Sequence, residues 1–106
     1  MLLHELIHWT AAPHRLARDL GERYGKHAYA MEELVAELGA AFLCGTLGVS
    51  NEPRPEHAAY LKSWLEALKH DRKAIFIASS KAQQAVDYLR QLAVENLQTE
   101  RDQIAE

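Results

Sequence analysis

The chain has 106 residues, a net charge of −3, only 12 Lys plus Arg, and an apolar fraction of 48%. That is one domain's worth of sequence with enough apolar side chains for a core, and it argues against direct nucleic-acid binding, which needs a basic surface. No apolar run approaches the length of a membrane span, no secretory leader is visible, and the single cysteine, Cys44, has no partner for an internal disulfide. These features point to a cytoplasmic protein in a reducing compartment, with no membrane role.

The first helix is expected over residues 2–11. Leu2, Leu3, Leu6 and Ile7 favour helix, and nothing interrupts before Pro13. It carries His4, Glu5 and His8 in the pattern H-E-x-x-H. Positions i and i+4 share a helix face, so both imidazoles can reach one metal ion, and Glu5 lies where it can take a proton from an attacking water. A shuffled chain of this composition would show the pattern about 3 times in 100, so the motif needs context: a helix beneath it, a third ligand and an open coordination position. Only three residues precede His4, and first turns fray, which would leave His4 loosely held.

Pro13 breaks the first helix, and a short second one is expected over residues 15–24, ended by Gly25. Its Arg15, Arg18 and Arg23 read as solvated or as partners of Asp19 and Glu22. A strong helix follows over residues 28–47, stopped by Gly48. Glu33 and Glu37 lie four apart on it and share a stripe with Ala30, Ala40, Ala41 and Cys44. A bare carboxylate in an apolar stripe is costly, so these two need a partner. One can ligate a metal while the other accepts a hydrogen bond from the free ring nitrogen of a ligating histidine. Small residues (Ala30, Ala36, Ala40, Ala41) would let this helix lie close to the first. Glu33 is the leading third ligand and Glu37 an alternative. His14, six residues after His8, is a further alternative at the third-histidine position of the extended motif, although Ala11 stands where that motif has Gly.

Beyond the prolines of residues 51–55, a third main helix is expected to end near His70, with Tyr60, Leu61, Trp64, Leu65 and Leu68 as its core stripe. A fourth begins near Arg72, capped by Asp71, and buries Ile75, Ala78, Ala82, Ala85, Val86, Leu89 and Ala93. The polar residues after Leu97 suggest a frayed tail over 98–106, leaving residues 1–97 as the domain. His27, His57 and His70 read as solvated or capping, and Cys44 as a buried thiol. With no β-type alternation, the chain is expected to be all-α, with about four main helices.

The blocks His-Glu-Leu-Ile-His-Trp-Thr (4–10), Arg-Leu-Ala-Arg-Asp-Leu (15–20), Glu-Glu-Leu-Val-Ala-Glu-Leu-Gly-Ala-Ala-Phe-Leu (32–43), Tyr-Leu-Lys-Ser-Trp-Leu (60–65) and Lys-Ala-Ile-Phe-Ile-Ala-Ser-Ser-Lys-Ala-Gln (73–83) resemble the zincin-like metallopeptidase domain of ArdC-type antirestriction proteins, also called the polyvalent-protein metallopeptidase domain. The 32–37 block also looks like the third-ligand helix of ImmA/IrrE-type peptidases, which implies Glu33 as ligand. The resemblance implies the helical portion of a zincin-like fold whose upstream strands are missing, and full-length relatives that carry a single-stranded-DNA-binding domain before it. The chain then reads as the C-terminal portion of such a protein or as a truncated product.

The expected activity is zinc-dependent hydrolysis of peptide bonds in a peptide or protein substrate, with Zn2+ on His4, His8 and Glu33 and with Glu5 as the base. The alternative is a non-catalytic helical module, left by truncation, that uses the metal as a clip or binds a partner protein.

Overall fold

The computed structural model describes residues 2–48 and 57–105. Among them the chain is helical and contains no strand. In chain order it forms α1 (Leu2–Trp9), α2 (Gly21–Tyr24), a 3-10 turn (Gly25–His27), α3 (Ala28–Leu47), α4 (His57–His70) and α5 (Ala74–Ala105). Helix α3 is the centre, packed against α1, α4 and α5.

Small side chains set the spacing of the layers. Ala74, Ala78, Ala82 and Ala85 are wholly buried along α5, beside Val86, and the core between helices is completed by Ile7, Met31, Val35, Ala36 and Leu43. The α1–α3 contact is closer still. A Cβ placed on Gly39 would lie 2.7 Å from Ile7 Cδ1 and 2.8 Å from Ile7 Cγ1, inside any normal contact distance. Gly39 is therefore the place where α3 admits α1, and Ile7 fills the notch. The slim face expected of α3 is real, but it is a glycine that makes the closest approach.

Helix α1 is shorter than residues 2–11. Its last turn tightens: the Thr10 amide reaches both the Leu6 and Ile7 carbonyls, the Ala11 amide bonds to the His8 carbonyl at 3.0 Å, and the Thr10 hydroxyl donates to the Ile7 carbonyl. Pro13 disfavours helical geometry at the residue before it, so the chain turns there. The helix expected over 15–24 shrinks to α2. Ala17 takes a left-handed φ of 50°, which no helix accommodates, and the Arg18 amide bonds to the Ala11 carbonyl at 3.0 Å. Asp19 then accepts from the Gly21 amide at 2.8 Å and starts α2. At the other end of α3, Gly48 adopts a left-handed φ of 71° and its amide bonds to the Cys44 carbonyl, the stop expected there. Cys44 is buried.

The two later stripes are only partly core. Ala67 is buried in α4, and Trp64 packs half-buried with its Nε1 donating to the Ala30 carbonyl, whereas Leu61 and Leu65 are exposed. In α5, Ile75 and Ala93 are exposed. Helix α5 also continues past Leu97 to Ala105. Gln91–Glu95 and Gln98–Asp102 hydrogen bonds, each four residues apart, join side chains along this exposed stretch, which has neither Gly nor Pro. His27 is a bridge between layers: its Nδ1 lies 2.6 Å from Ser63 Oγ and its Nε2 3.4 Å from a Glu66 oxygen. His70 is exposed, and the side chain of His57 lies outside the described residues.

Arg23 pairs with Asp71, at the head of α5, rather than with Glu22. Asp71 also accepts from the Lys73 amide at 3.0 Å, acting as the expected cap. The Arg23 hydrogen bond, working against burial and with help from the Lys73 amide, holds the Asp71 carboxyl at about 2, below its ordinary 3.8. A depressed carboxyl stabilises the fold above 3.8 and loses that contribution as pH falls through about 2. The stability difference between wild type and Asp71→Asn, measured by urea unfolding, is expected to shrink across that window. Gly39→Ala forces Ile7 out of its notch and is expected to cost about 1–3 kcal/mol in the same measurement, a typical overpacking penalty.

Candidate metal centre

Helical spacing brings His4 and His8 to one face of α1, and that face meets Glu32, Glu33 and Glu37 of α3. His4 is not loose despite lying near the chain start. Its side chain is only 2% exposed and is held between two carboxylates. Ile7, one turn on, anchors the same helix in the Gly39 notch.

The proton arrangement follows from the partners. His4 Nδ1 lies 2.6 Å from Glu37 Oε1, and His8 Nδ1 lies 2.8 Å from Glu32 Oε2. The Glu32 carboxylate can only accept, so a neutral His8 ring carries its N–H on Nδ1 and leaves Nε2 as a lone pair. His4 Nδ1 and Glu37 Oε1 are close but not aligned as a hydrogen bond, whereas His4 Nε2 pairs with Glu33. The two Nε2 atoms face each other at 2.9 Å, and Glu33 presents one oxygen to each, at 3.1 Å from His4 Nε2 and 2.9 Å from His8 Nε2. Two ring nitrogens and two carboxylate oxygens thus converge on one place. Ligand atoms of His4, His8 and Glu33 all lie within 4.8 Å of one another, and two imidazoles with one carboxylate form a donor set suited to a divalent transition metal. The residues fit the ion.

The electrostatics agree. The Glu32 hydrogen bond raises the His8 pKa above 6.5 against the opposing effect of burial, and the charges of Glu33, Glu32 and Glu5 add to the rise. Burial pushes the Glu32 carboxyl up, but the hydrogen bonds from Arg18 and His8 outweigh it and leave it below its ordinary value.

Arg18 is the residue that sequence reasoning missed most clearly. Its side chain is 2% exposed, not solvated. Its Nε and Nη2 grip the two Glu32 oxygens at 2.6 and 2.8 Å, while Nη1 and Nη2 donate to Thr10 Oγ1 and the Ile7 carbonyl at 3.0 and 2.9 Å. Glu32, which the sequence did not single out, is the hydrogen-bond acceptor for His8. Arg15 instead lies over the Trp9 ring, 3.6 Å from its centroid.

The remaining candidates sit at the edge. Glu5 is exposed on α1, with its charge felt at His8. Glu37 touches His4 through Nδ1, the side away from His8 Nε2 and Glu33. His14 is exposed in the turn after α1 and is not part of the His4–His8–Glu33 group. An open cleft of about 390 Å³ adjoins His8, lined by Leu20, Ala28, Tyr29 and Glu32 among others.

Because His8 holds its proton more tightly than an ordinary imidazole, protons compete with a bound cation at pH values that start above 6.5. Below the raised value, affinity for a divalent metal is expected to fall by about tenfold per pH unit for the one proton displaced. Metal titrations by calorimetry at several pH values check this.

Comparison with known proteins gives this geometry a family. A family profile described as zincin-like metallopeptidase matches residues 1–81. The uncharacterised protein y4eC of Sinorhizobium fredii is 55% identical over 89 residues, which is 84% of this chain and 29% of that protein. A DNA primase TraC of Escherichia coli is 41% identical over 103 residues, 97% of this chain and 10% of the primase. Among solved structures, the Mn(II)-bound crystal structure of a plasmid antirestriction protein, ArdC, superposes with a TM-score of 0.65 at 41% identity, covering 85% of this chain and 31% of that one. The chain therefore spans less than a third of the length of each of these proteins. Across that span, it belongs to the zincin-like metallopeptidase family.

Proposed function

We propose that this chain carries the metal centre of an ArdC-like zinc peptidase that hydrolyses peptide bonds, with His4, His8 and Glu33 as ligands and Glu5 as the general base. The observation that supports it most is the convergence of the two Nε2 atoms on the Glu33 carboxylate. Zn2+ is the proposed ion, since two imidazoles and one carboxylate with an open position form a common catalytic zinc set. The Mn(II) bound to the related ArdC makes manganese the first ion to compare.

A divalent cation in this site supplies Lewis acidity, polarising a carbonyl and lowering the pKa of water to about 7. The chain's own groups do the rest. Glu32 fixes the ring orientation of His8 by accepting from Nδ1, and Glu37 lies 2.6 Å from His4 Nδ1 on the far side of that ring. Glu5, exposed beside the first ligand, takes a proton from the attacking water and returns it to the leaving amine. The cleft beside His8, with Tyr29 on its rim, offers room for a side chain of the peptide substrate. A lone buried cysteine suits a reducing, cytoplasmic setting.

A second reading is a helical metal-binding module without catalysis. Its support is that the described residues include no strand, so they offer no sheet edge on which an extended peptide could lie. Glu5→Gln separates the two. Under the peptidase reading, the variant keeps wild-type metal content and loses roughly 10²–10⁴-fold in peptide hydrolysis. A wild-type chain that holds stoichiometric metal and cleaves no faster than Glu5→Gln supports the module instead.

A further inference from the structure

We propose that Arg18 is a positioning residue for the metal centre, acting on His8 through Glu32. The inference rests on His8 being a ligand, as proposed above, and it concerns a residue two contacts away from the ion.

The chain of contacts is continuous. The Arg18 guanidinium meets both Glu32 oxygens in a two-bond fork, and the Glu32 Oε2 that accepts from Arg18 Nη2 at 2.8 Å also faces His8 Nδ1 at 2.8 Å. Fixing that oxygen fixes the plane and the tautomer of the His8 ring, and so the direction of its Nε2 lone pair. The other Arg18 contacts lie at the end of the helix that carries the histidines. The Ile7 carbonyl lies in the last turn of α1 and Thr10 just follows it, and Arg18 adds a donor to the carbonyl that Thr10 already reaches. Arg18 therefore ties the end of α1 and the start of α3 to the same planar group. A guanidinium can do this because its donors are rigid and diverge; an ammonium offers one point of charge and no fork.

The route by which Arg18 reaches this place is specific. Ala17 adopts a left-handed φ of 50°, and the Arg18 amide pairs with the Ala11 carbonyl, so the chain doubles back beneath α1 before α2 begins. A solvent-facing arginine needs no such turn. Charge balance also favours the role. Glu32, Glu33 and Glu37 are all largely covered on α3, and Arg18 is the cation that meets Glu32. Without it, Glu32 is a covered carboxylate drawing on His8 alone.

A test that separates this role from general support of the fold measures zinc affinity by competition with a chromophoric chelator, with thermal unfolding of the metal-free 106-residue chain alongside. The set is wild type, Arg18→Met, Arg18→Lys, Glu32→Gln and the double variant Arg18→Met/Glu32→Gln. Substitutions in a group that orients a metal-binding histidine typically weaken binding roughly 10–100-fold, and that loss is expected for each single variant while the chain is still folded. Arg18→Lys is expected to recover only part of it. The double variant is expected to bind no more weakly than Arg18→Met, because both changes act along one path. The visible spectrum of the Co(II)-loaded protein is expected to shift in Arg18→Met and Glu32→Gln alike. A folded Arg18→Met with wild-type affinity overturns the proposal, as do losses that multiply in the double variant. If Arg18→Met does not fold, wild-type affinity in Glu32→Gln overturns it equally. Failure of the wild-type chain itself to bind zinc sinks the metal-centre reading, and this proposal with it.

Discussion

Two imidazoles on α1 bring their Nε2 atoms to 2.9 Å of each other, with the Glu33 carboxylate across both. The surrounding structure serves to hold this arrangement: Glu32 accepts from His8 on the far side of its ring, Glu37 lies against His4 Nδ1, and the Ile7–Gly39 contact sets how near α1 stands to α3. A side chain at position 39 would displace Ile7, which lies three residues after His4 and next to His8. The closeness of α1 to α3 and the meeting of the histidines with the α3 carboxylates are thus part of one packing arrangement.

The same geometry couples metal to fold. Three carboxylates of α3 are mostly covered, and covering charge is unfavourable unless it is matched. Arg18 matches Glu32, and the two histidines lie against Glu33 and Glu37; a divalent cation, under the proposed reading, would match them further. Binding energy for an ion that meets only the folded chain adds directly to stability. This matters in a small domain whose helix interfaces are built largely from alanine, with modest apolar area per contact. Added support comes from links between layers: Arg23 to Asp71, His27 to Ser63, and Trp64 to the Ala30 carbonyl.

The matched relatives are several times longer than this chain, and the segment that the family profile matches, residues 1–81, holds the histidines and the α3 acids. One is named a primase, another an antirestriction protein, and a third is uncharacterised. A segment that recurs in proteins with such different names says little by itself about what each whole protein does.

Much of this was legible in the residues themselves. Helical spacing alone put His4 and His8 on one face, and the i, i+4 carboxylates in an apolar stripe signalled that this face of α3 needs a partner. The stop at Gly48 and the cap at Asp71 were equally local, because a left-handed residue and a side-chain acceptor act within one turn. Tertiary structure decided what depends on distance between elements. It made Gly39 the contact point, since a residue's lack of side chain has no meaning until another helix approaches. It withdrew Arg18 from solvent, since a charge at the surface and a charge in a buried fork look the same in sequence. It gave Glu32 to His8 and Glu37 to His4, a choice set by how α1 is rotated over α3. Leu61 and Leu65 stayed exposed for the same reason: periodicity defines a face, and only packing says which part of that face another helix covers.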